Sequence, residues 1–523
     1  MAQRLTSFIS LWDLIEQRAA DTPEGRFVID ENSRALTFVQ YRDACLGAAA
    51  ALHAHGIGEG DVVSWQLPTW IEAMVLVGGL ARLGAVQNPI LPIYRGREVG
   101  FVVKEAGAKA IVVPGEWRGF DFTAMANGIA AETPGVEVLT INRGDTLTGD
   151  VGSLPPVPAG GESFEPGVRH DGPIRWLFYT SGTTADPKGA RHTDNTVAAS
   201  AYAMVDAFDL QPEDRNALVF PFTHIGGIGW LFSGLMTGCS QVIVEGFVPD
   251  TTMPVLERER VTIAGAGTAF HLAYLAAQRA ALDRRLFPET RVFVGGGAAK
   301  PPQLHYEVKE ELGGIGISSG YGLTECPIIS IAYVDATDEQ LANTEGQLCL
   351  GVDVKVVALD GTVVGRGEEG EIRVKGPNLC HGYVDEALNA EGFDDEGYFR
   401  SGDLGVVRED NHVLITGRLK DVIIRKGENI SAKEVEDLLF THPKIADAAV
   451  IGLPDPASGE RACAVIVAAD PADPPTLPEL FEFCKAEGLM TQKIPEQLEL
   501  LDVLPRNPTG KVLKHELRKI YAD

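Results

Sequence analysis

Basic residues are in short supply in this chain: 45 Lys and Arg stand against 73 Asp and Glu over 523 residues, a formal net charge of -28. Nucleic acid and anionic membrane surfaces both reward clustered Lys and Arg, so the acidic balance argues against either as the main partner. Any polyanionic ligand must instead meet a locally positive site. Cysteine is scarce too. The seven, at positions 45, 239, 326, 349, 380, 463 and 484, are an odd number and show neither a CxxC nor a Cys/His metal-ligand spacing. That argues against a disulfide framework and a zinc site, and leaves reduced thiols in a cytoplasmic protein as the expectation. Long apolar runs are missing. The longest, Ile71 to Val86, contains Glu72 and Arg82 and spans about 16 residues where a bilayer needs roughly 20, so it reads as a core helix. The opening MAQRLTSFISLWDLIEQRAA lacks the basic start and apolar run of a signal peptide. Internal repeats and low-complexity segments are also absent.

What is present is enough apolar sequence, 45% of the chain, to bury more than one core. Short β-branched runs such as Val62 to Trp65, Ala110 to Val113 and Val136 to Ile141 alternate with helical patterns such as Phe38 to His55. The alternation predicts layered α/β structure with largely parallel sheets. The Pro/Gly-rich stretch GDVGSLPPVPAGGESFEPG, 149–167, reads as an exposed connection that divides two subdomains. From Glu345 to Val374 short strands separated by Gly predict a small β-rich subdomain, and beyond Gly417 the pattern suits a compact domain of about 100 residues. The expected fold is therefore multidomain α/β. A large N-terminal domain, 1–419, holds two layered α/β subdomains and the β-rich one, and a small α+β domain follows at 420–523.

The strongest chemical signal is YTSGTTADPKG, Tyr179 to Gly189, after the strand-like Ile174 to Phe178. Glycines and small hydroxylated residues let backbone N–H groups approach phosphate oxygens, and Lys188 adds a point charge. Thr180, Ser181, Gly182, Thr183, Thr184 and Lys188 are thus candidate phosphate-binding residues. The string is not a Walker loop: GxxxxGK followed by Ser or Thr would need Gly where Pro187 stands and a hydroxyl residue where Gly189 stands. P-loop kinases are disfavoured accordingly.

At this string the sequence resembles the adenylate-forming superfamily of acyl-CoA synthetases, firefly-type luciferases and peptide-synthetase adenylation domains. Further motifs follow in family order. YGLTE occupies Tyr321 to Glu325, and the resemblance implies that Tyr321 stacks on adenine, Thr324 bonds phosphate and Glu325 holds Mg²⁺. Gly297 and Ala298, at the end of GGGA, match the loop along the adenine edge. SGD at Ser401 to Asp403 and GRLKD at Gly417 to Asp421 imply that Asp403 and Arg418 bind the ribose and that Lys420 is the hinge of a mobile C-terminal domain. PRNPTGKVLK places Lys511 where the family keeps its adenylation lysine, a fixed ammonium for charge that develops on the phosphates. RKGENIS, Arg425 to Ser431, matches the loop that lines the pantetheine tunnel in the second half-reaction, which assigns Gly427 and Glu428 to coenzyme A. A tight turn with Ser431 capping the next helix is the local reading of that segment.

The acid is expected beneath PFTHIGG, Pro221 to Gly227, where His224 corresponds to a family gate and counts here among the catalytic candidates with Lys511, Glu325 and Thr324. Phe222, Thr223 and His224 offer no Asp for a substrate ammonium, which argues against amino acids. Gly226, Gly227 and Gly265 to Thr268 either make room for a bulky acid or permit tight packing. One departure is Ala185-Asp186 in the phosphate loop, where relatives carry Gly or Glu. The resemblance implies an AMP-forming acid:CoA ligase, with a small carboxylic acid, ATP and coenzyme A as substrates and Mg²⁺ as cofactor. NPILPIYRGREV is similar to ligases for medium-chain and alicyclic acids, such as cyclohexanecarboxylate:CoA ligases. The competing expectations are an acyl-AMP ligase that serves a carrier protein, a luciferase-like oxygenase, and a non-catalytic nucleotide sensor.

Overall fold

The computed structural model describes residues 3–180, 187–281, 283–297, 300–426, 428–507 and 510–522. Its first helix, Leu11–Asp21, starts where the Ser10 hydroxyl accepts the Asp13 N–H. The second, Phe38–Ala54, begins on a reciprocal Thr37/Gln40 capping box. The apolar run forms the helix Ile71–Leu83, whose Glu72 is neutralised by Arg34 at 2.5 Å. Gly84 ends this helix in the left-handed region at φ 67°, which a side chain rarely adopts.

Two large sheets follow the expected alternation. One has six strands in the order Lys188–Thr193, Ile174–Thr180, Val86–Pro89, Val62–Trp65, Ala110–Val113 and Glu137–Thr140. All its neighbours are parallel except the first pair. The other has nine strands, with a parallel centre running from Ile317–Tyr321 to Arg26–Asp30 and antiparallel strands at both edges. Helices between the sheets, including Phe38–Ala54, Ile71–Leu83 and Ile225–Thr237, feed one continuous core that reaches from Trp12 and Leu76 to Trp176 and Phe232.

The Pro/Gly-rich stretch does not divide subdomains. Strands on either side of it, Glu137–Thr140 and Ile174–Thr180, belong to the same six-stranded sheet. Nor is it uniformly exposed: Phe164 is buried against Phe8, ring centroids 5.1 Å apart. Sequence composition marked a stretch without strand or α-helix, where only the short 3-10 turn Val151–Ser153 forms, whereas the tertiary path returns the chain to the sheet it had left.

The β-rich region extends well past the expected limit at Val374: it is a five-stranded antiparallel sheet built from Asp353–Val357, Val363–Val364, Glu369–Lys375, Phe399–Val407 and Val413–Arg418, the last two strands being recruited across a long connection by backbone pairing. The C-terminal domain is built around the long hairpin Ile445–Asp455/Gly459–Ala468, with separate apolar clusters containing Leu439 and Leu480 in one case and Leu504 and Leu517 in the other. Among the described residues no helix is long and apolar enough to cross a membrane.

Candidate functional site

Lys188 pairs in register with Thr180, so the phosphate-loop candidate closes a hairpin between two antiparallel strands. Ser181, Gly182, Thr183 and Thr184, with Ala185 and Asp186, lie outside the described residues. Gly189 has to be small here, because a Cβ would come within 2.6 Å of the Tyr179 ring. On its other edge the strand Lys188–Thr193 exchanges backbone hydrogen bonds with residues 381–384: Arg191 N–H donates to Gly382 at 2.9 Å and Val384 N–H to Gly189 at 2.8 Å.

Tyr321, at the end of the strand Ile317–Tyr321, donates its hydroxyl to Asp403 Oδ2 at 2.8 Å. Arg418 donates Nε–H to the other oxygen, Oδ1, and the two residues are register partners on adjacent strands. Antiparallel pairing therefore unites the SGD and GRLKD motifs, and the Tyr321 hydroxyl links YGLTE to them from another sheet. A carboxylate has about four acceptor positions, so Asp403 keeps capacity on both oxygens for a diol. Gly297, at φ 73°, is exposed and faces open space; Ala298 lies outside the described residues.

Two residues that the motifs did not point to hold the YGLTE segment. The fully buried His192 contacts the Thr324 carbonyl through Nε2 at 2.9 Å and Thr196 Oγ1 through Nδ1 at 2.9 Å. Burial lowers its pKa to about 3, so the ring is neutral. Tyr383, also buried, donates its hydroxyl to Glu325 Oε1 at 2.5 Å, and the Cys380 N–H donates to the Glu325 carbonyl at 2.8 Å. Burial raises the Glu325 pKa, and the Tyr383 hydrogen bond and the Lys188 charge work against it. The only sequence cue for His192 is that it lies just past Lys188, and Tyr383, in a plain HGY triplet, has none.

The C-terminal domain adds Lys511. Its loop is fastened by Arg506, which pairs with Asp447 at 2.7 and 2.9 Å, and by Asn507 Oδ1, which accepts the Lys511 N–H at 2.9 Å. A Cβ on Gly510 would sit 3.4 Å from Ala269, so this loop lies against the helix Thr268–Ala280 of the large domain. Burial, assisted by Arg418 and Lys420 and opposed by Asp403 and Asp421, lowers the Lys511 pKa to about 8. Lys511 is thereby brought together with the Tyr321–Asp403–Arg418 cluster. Lys420 is exposed in the short 3-10 turn Leu419–Asp421. Glu428 is exposed at the tip of the hairpin Val422–Arg425/Glu428–Ser431, where it pairs with Arg425; Gly427 lies outside the described residues. Ser431 caps the helix Ala432–Leu439 by accepting the Glu434 N–H, as its local sequence suggests.

His224 caps the helix Ile225–Thr237, its Nδ1 accepting the Gly226 N–H at 3.1 Å. Burial lowers its pKa to about 4, leaving it neutral. With Thr223 and Thr324 it borders a cavity whose apolar wall includes Ile90, Leu91, Phe178 and Ile225. Gly227 serves packing and not space, since a Cβ would come 2.6 Å from the Phe222 carbonyl oxygen. Gly265 ends the strand Ile263–Gly265, and Thr268 opens the next helix as a buried residue.

Comparison with known proteins identifies the family. The family model for the AMP-binding enzyme matches residues 15–384, and that for the AMP-binding enzyme C-terminal domain matches 434–511. The chain belongs to the AMP-binding, adenylate-forming enzyme family. It is 32% identical to a medium-chain fatty-acid–CoA ligase of Escherichia coli (strain K12) over 99% of this chain and 91% of that protein. It is 31% identical to a salicyl-AMP ligase / salicyl-S-ArCP synthetase of Mycobacterium tuberculosis, over 96% of this chain and 89% of that one. Among solved structures, ATP-bound MatB from Rhodopseudomonas palustris superposes with a TM-score of 0.86 at 26% identity, covering 98% of this chain and 99% of that chain.

Proposed function

We propose that this protein is a cytoplasmic, ATP-dependent acid:CoA ligase that makes an acyl-adenylate and then an acyl-CoA, with pyrophosphate and AMP as products. The observation that carries this reading is the packing of the Lys511 loop of the C-terminal domain against the helix Thr268–Ala280 of the large domain, within reach of the charges of Arg418 and Asp403. In the first step the substrate carboxylate attacks the α-phosphorus, an acyl–O–P bond forms and pyrophosphate leaves. Lys511 is the ammonium that offsets the charge developing on the phosphate oxygens. Asp403 and Arg418 hold the ribose hydroxyls, Tyr321 and the Gly297–Ala298 edge the adenine, and the loop from Thr180 through Ser181, Gly182, Thr183 and Thr184 to Lys188 the phosphates, together with Thr324.

Glu325 fits a nucleotide-borne Mg²⁺. It is a single buried carboxylate, and among the described residues no group of three or more His, Cys, Asp or Glu could hold a metal by itself. Mg²⁺ suits one or two carboxylates plus phosphate oxygens and water, and its contribution is neutralisation of phosphate charge. In the second step the thiol of coenzyme A attacks the acyl carbonyl and AMP leaves. For this we assign Lys420 as the hinge, at the boundary between domains 1–419 and 420–523, about which the C-terminal domain turns to bring Gly427 and Glu428 to the coenzyme. His224, neutral, borders the acyl group. The apolar cavity wall and the similarity to a medium-chain ligase support a medium-chain, branched or alicyclic acid.

The test is pyrophosphate release with ATP and Mg²⁺ over straight-chain, branched, alicyclic and aromatic acids, each with and without coenzyme A. Turnover that depends on coenzyme A supports the ligase. Adenylate formation that coenzyme A cannot discharge would favour transfer to a carrier protein, the chemistry in the name of the salicyl-AMP relative. ATP binding with no pyrophosphate release would leave only a nucleotide sensor.

A further inference from the structure

Tyr383 occupies a place that none of the motifs assigns. It is 3% exposed, and its position is fixed from several sides. Its N–H donates to Asn389 Oδ1 at 2.9 Å, its backbone bridges Ala190 on the strand that leaves the phosphate loop, and its ring packs edge-on to Phe399 at 6.5 Å. From this seat the hydroxyl reaches Glu325 Oε1 at 2.5 Å, while the Lys188 ammonium stands over the ring at 5.6 Å. One side chain therefore touches both the cation that ends the phosphate loop and the carboxylate that ends YGLTE.

A buried tyrosine hydroxyl needs a partner, and satisfying it is the plain structural role. Two features go further. The partner is a carboxylate, whose hydrogen bond is charge-assisted and directional. The hydroxyl also engages one oxygen, which defines where the other points. A carboxylate free to rotate would lose part of any interaction that depends on aim.

We propose that Tyr383 is a positioning residue: its hydroxyl orients the Glu325 carboxylate toward the metal side of the bound nucleotide, and its ring seats Lys188 on the phosphate side. The proposal rests on the reading of Glu325 as the carboxylate that faces Mg²⁺. It distinguishes Tyr383 from a general packing residue, because loss of the hydroxyl alone should weaken the metal complex of ATP and spare metal-free ATP.

The experiment is calorimetric titration of the full-length protein with ATP plus Mg²⁺ and with ATP plus EDTA, for wild type, Tyr383→Phe, Glu325→Gln and the double variant. Tyr383→Phe removes one oxygen from a ring held on several sides, and its thermal midpoint serves as the control on folding. The expected result is a loss of roughly 10-fold in affinity for MgATP, from an orphaned charged hydrogen bond, with metal-free ATP changed less than about twofold. In the Glu325→Gln background the Phe substitution should add nothing further. Equal losses for both forms of ATP, no loss for either, or additive effects in the double variant would overturn the proposal. Because the readout is binding, it stands apart from the ligase reading, which fails instead if wild type binds MgATP yet releases no pyrophosphate with any acid.

Discussion

Asp421, one residue beyond Lys420, is ion-paired with Arg518 on the C-terminal helix Lys514–Tyr521 at 2.7 Å. The chain's last helix thus grips the turn proposed as its own hinge. The pair is partly exposed, so it tunes this arrangement more than it stabilises the fold.

Arg518→Ala should cost no more than about 1 kcal/mol in urea denaturation. It should also shift the balance of half-reactions, slowing adenylation relative to thioester formation from supplied acyl-adenylate. Equal rates of both steps in variant and wild type would detach this ion pair from the hinge.

Lys511 carries a pKa lowered to about 8, chiefly by burial. In the role proposed for it, the protonated form is the one adenylation needs. The kcat/KM for pyrophosphate release should therefore hold below pH 8 and fall as pH rises through it, well before an ordinary lysine would titrate. Lys511→Ala should slow adenylation by roughly 10²–10³-fold, in the range of removing one fixed transition-state donor, and spare thioester formation from acyl-adenylate. A flat rate profile to pH 10, or equal loss in both steps, would contradict the role.

His192 is neutral in the folded protein, its pKa lowered to about 3 by burial. The unfolded chain takes up that proton near pH 6.5, so the unfolded state binds more protons between pH 3 and 6.5. Stability is fully present above pH 6.5 and declines below it, by up to about 1.4 kcal/mol per pH unit for this one group. His192→Gln should flatten the dependence of unfolding free energy on pH between 5 and 6 by about that amount, measured by urea denaturation. An unchanged slope would mean that the ring does not keep its neutral state.

Gly189→Ala would place a Cβ 2.6 Å from the Tyr179 ring, next to Lys188. Overpacking of this kind costs about 1–3 kcal/mol, and the shift it forces should also weaken ATP binding. Denaturation and ATP titration of the single variant, and of its combination with Tyr179→Ala, check this. The double variant should recover part of the loss, because the two substitutions share one contact.

Local sequence determined a great deal about this protein. Runs of β-branched residues became strands with nearly the expected limits, as at Val62–Trp65 and Ala110–Val113, and Ser431 capped the helix that follows it. Both effects act within a few residues, where propensity and capping chemistry are decided. The ordered motifs likewise marked Tyr321, Asp403, Arg418 and Lys511, because their residue types and short spacings are themselves the signal. Only the tertiary structure decided what reaches across the chain. Strands 137–140 and 174–180 share a sheet although a Pro/Gly-rich stretch parts them, and Tyr383 meets a carboxylate 58 positions earlier. His192, likewise, meets the Thr324 carbonyl because the strand Lys188–Thr193 packs beside YGLTE. Such pairings follow from sheet order and from the need to satisfy buried polar groups, and neither leaves a periodic trace along a single sequence.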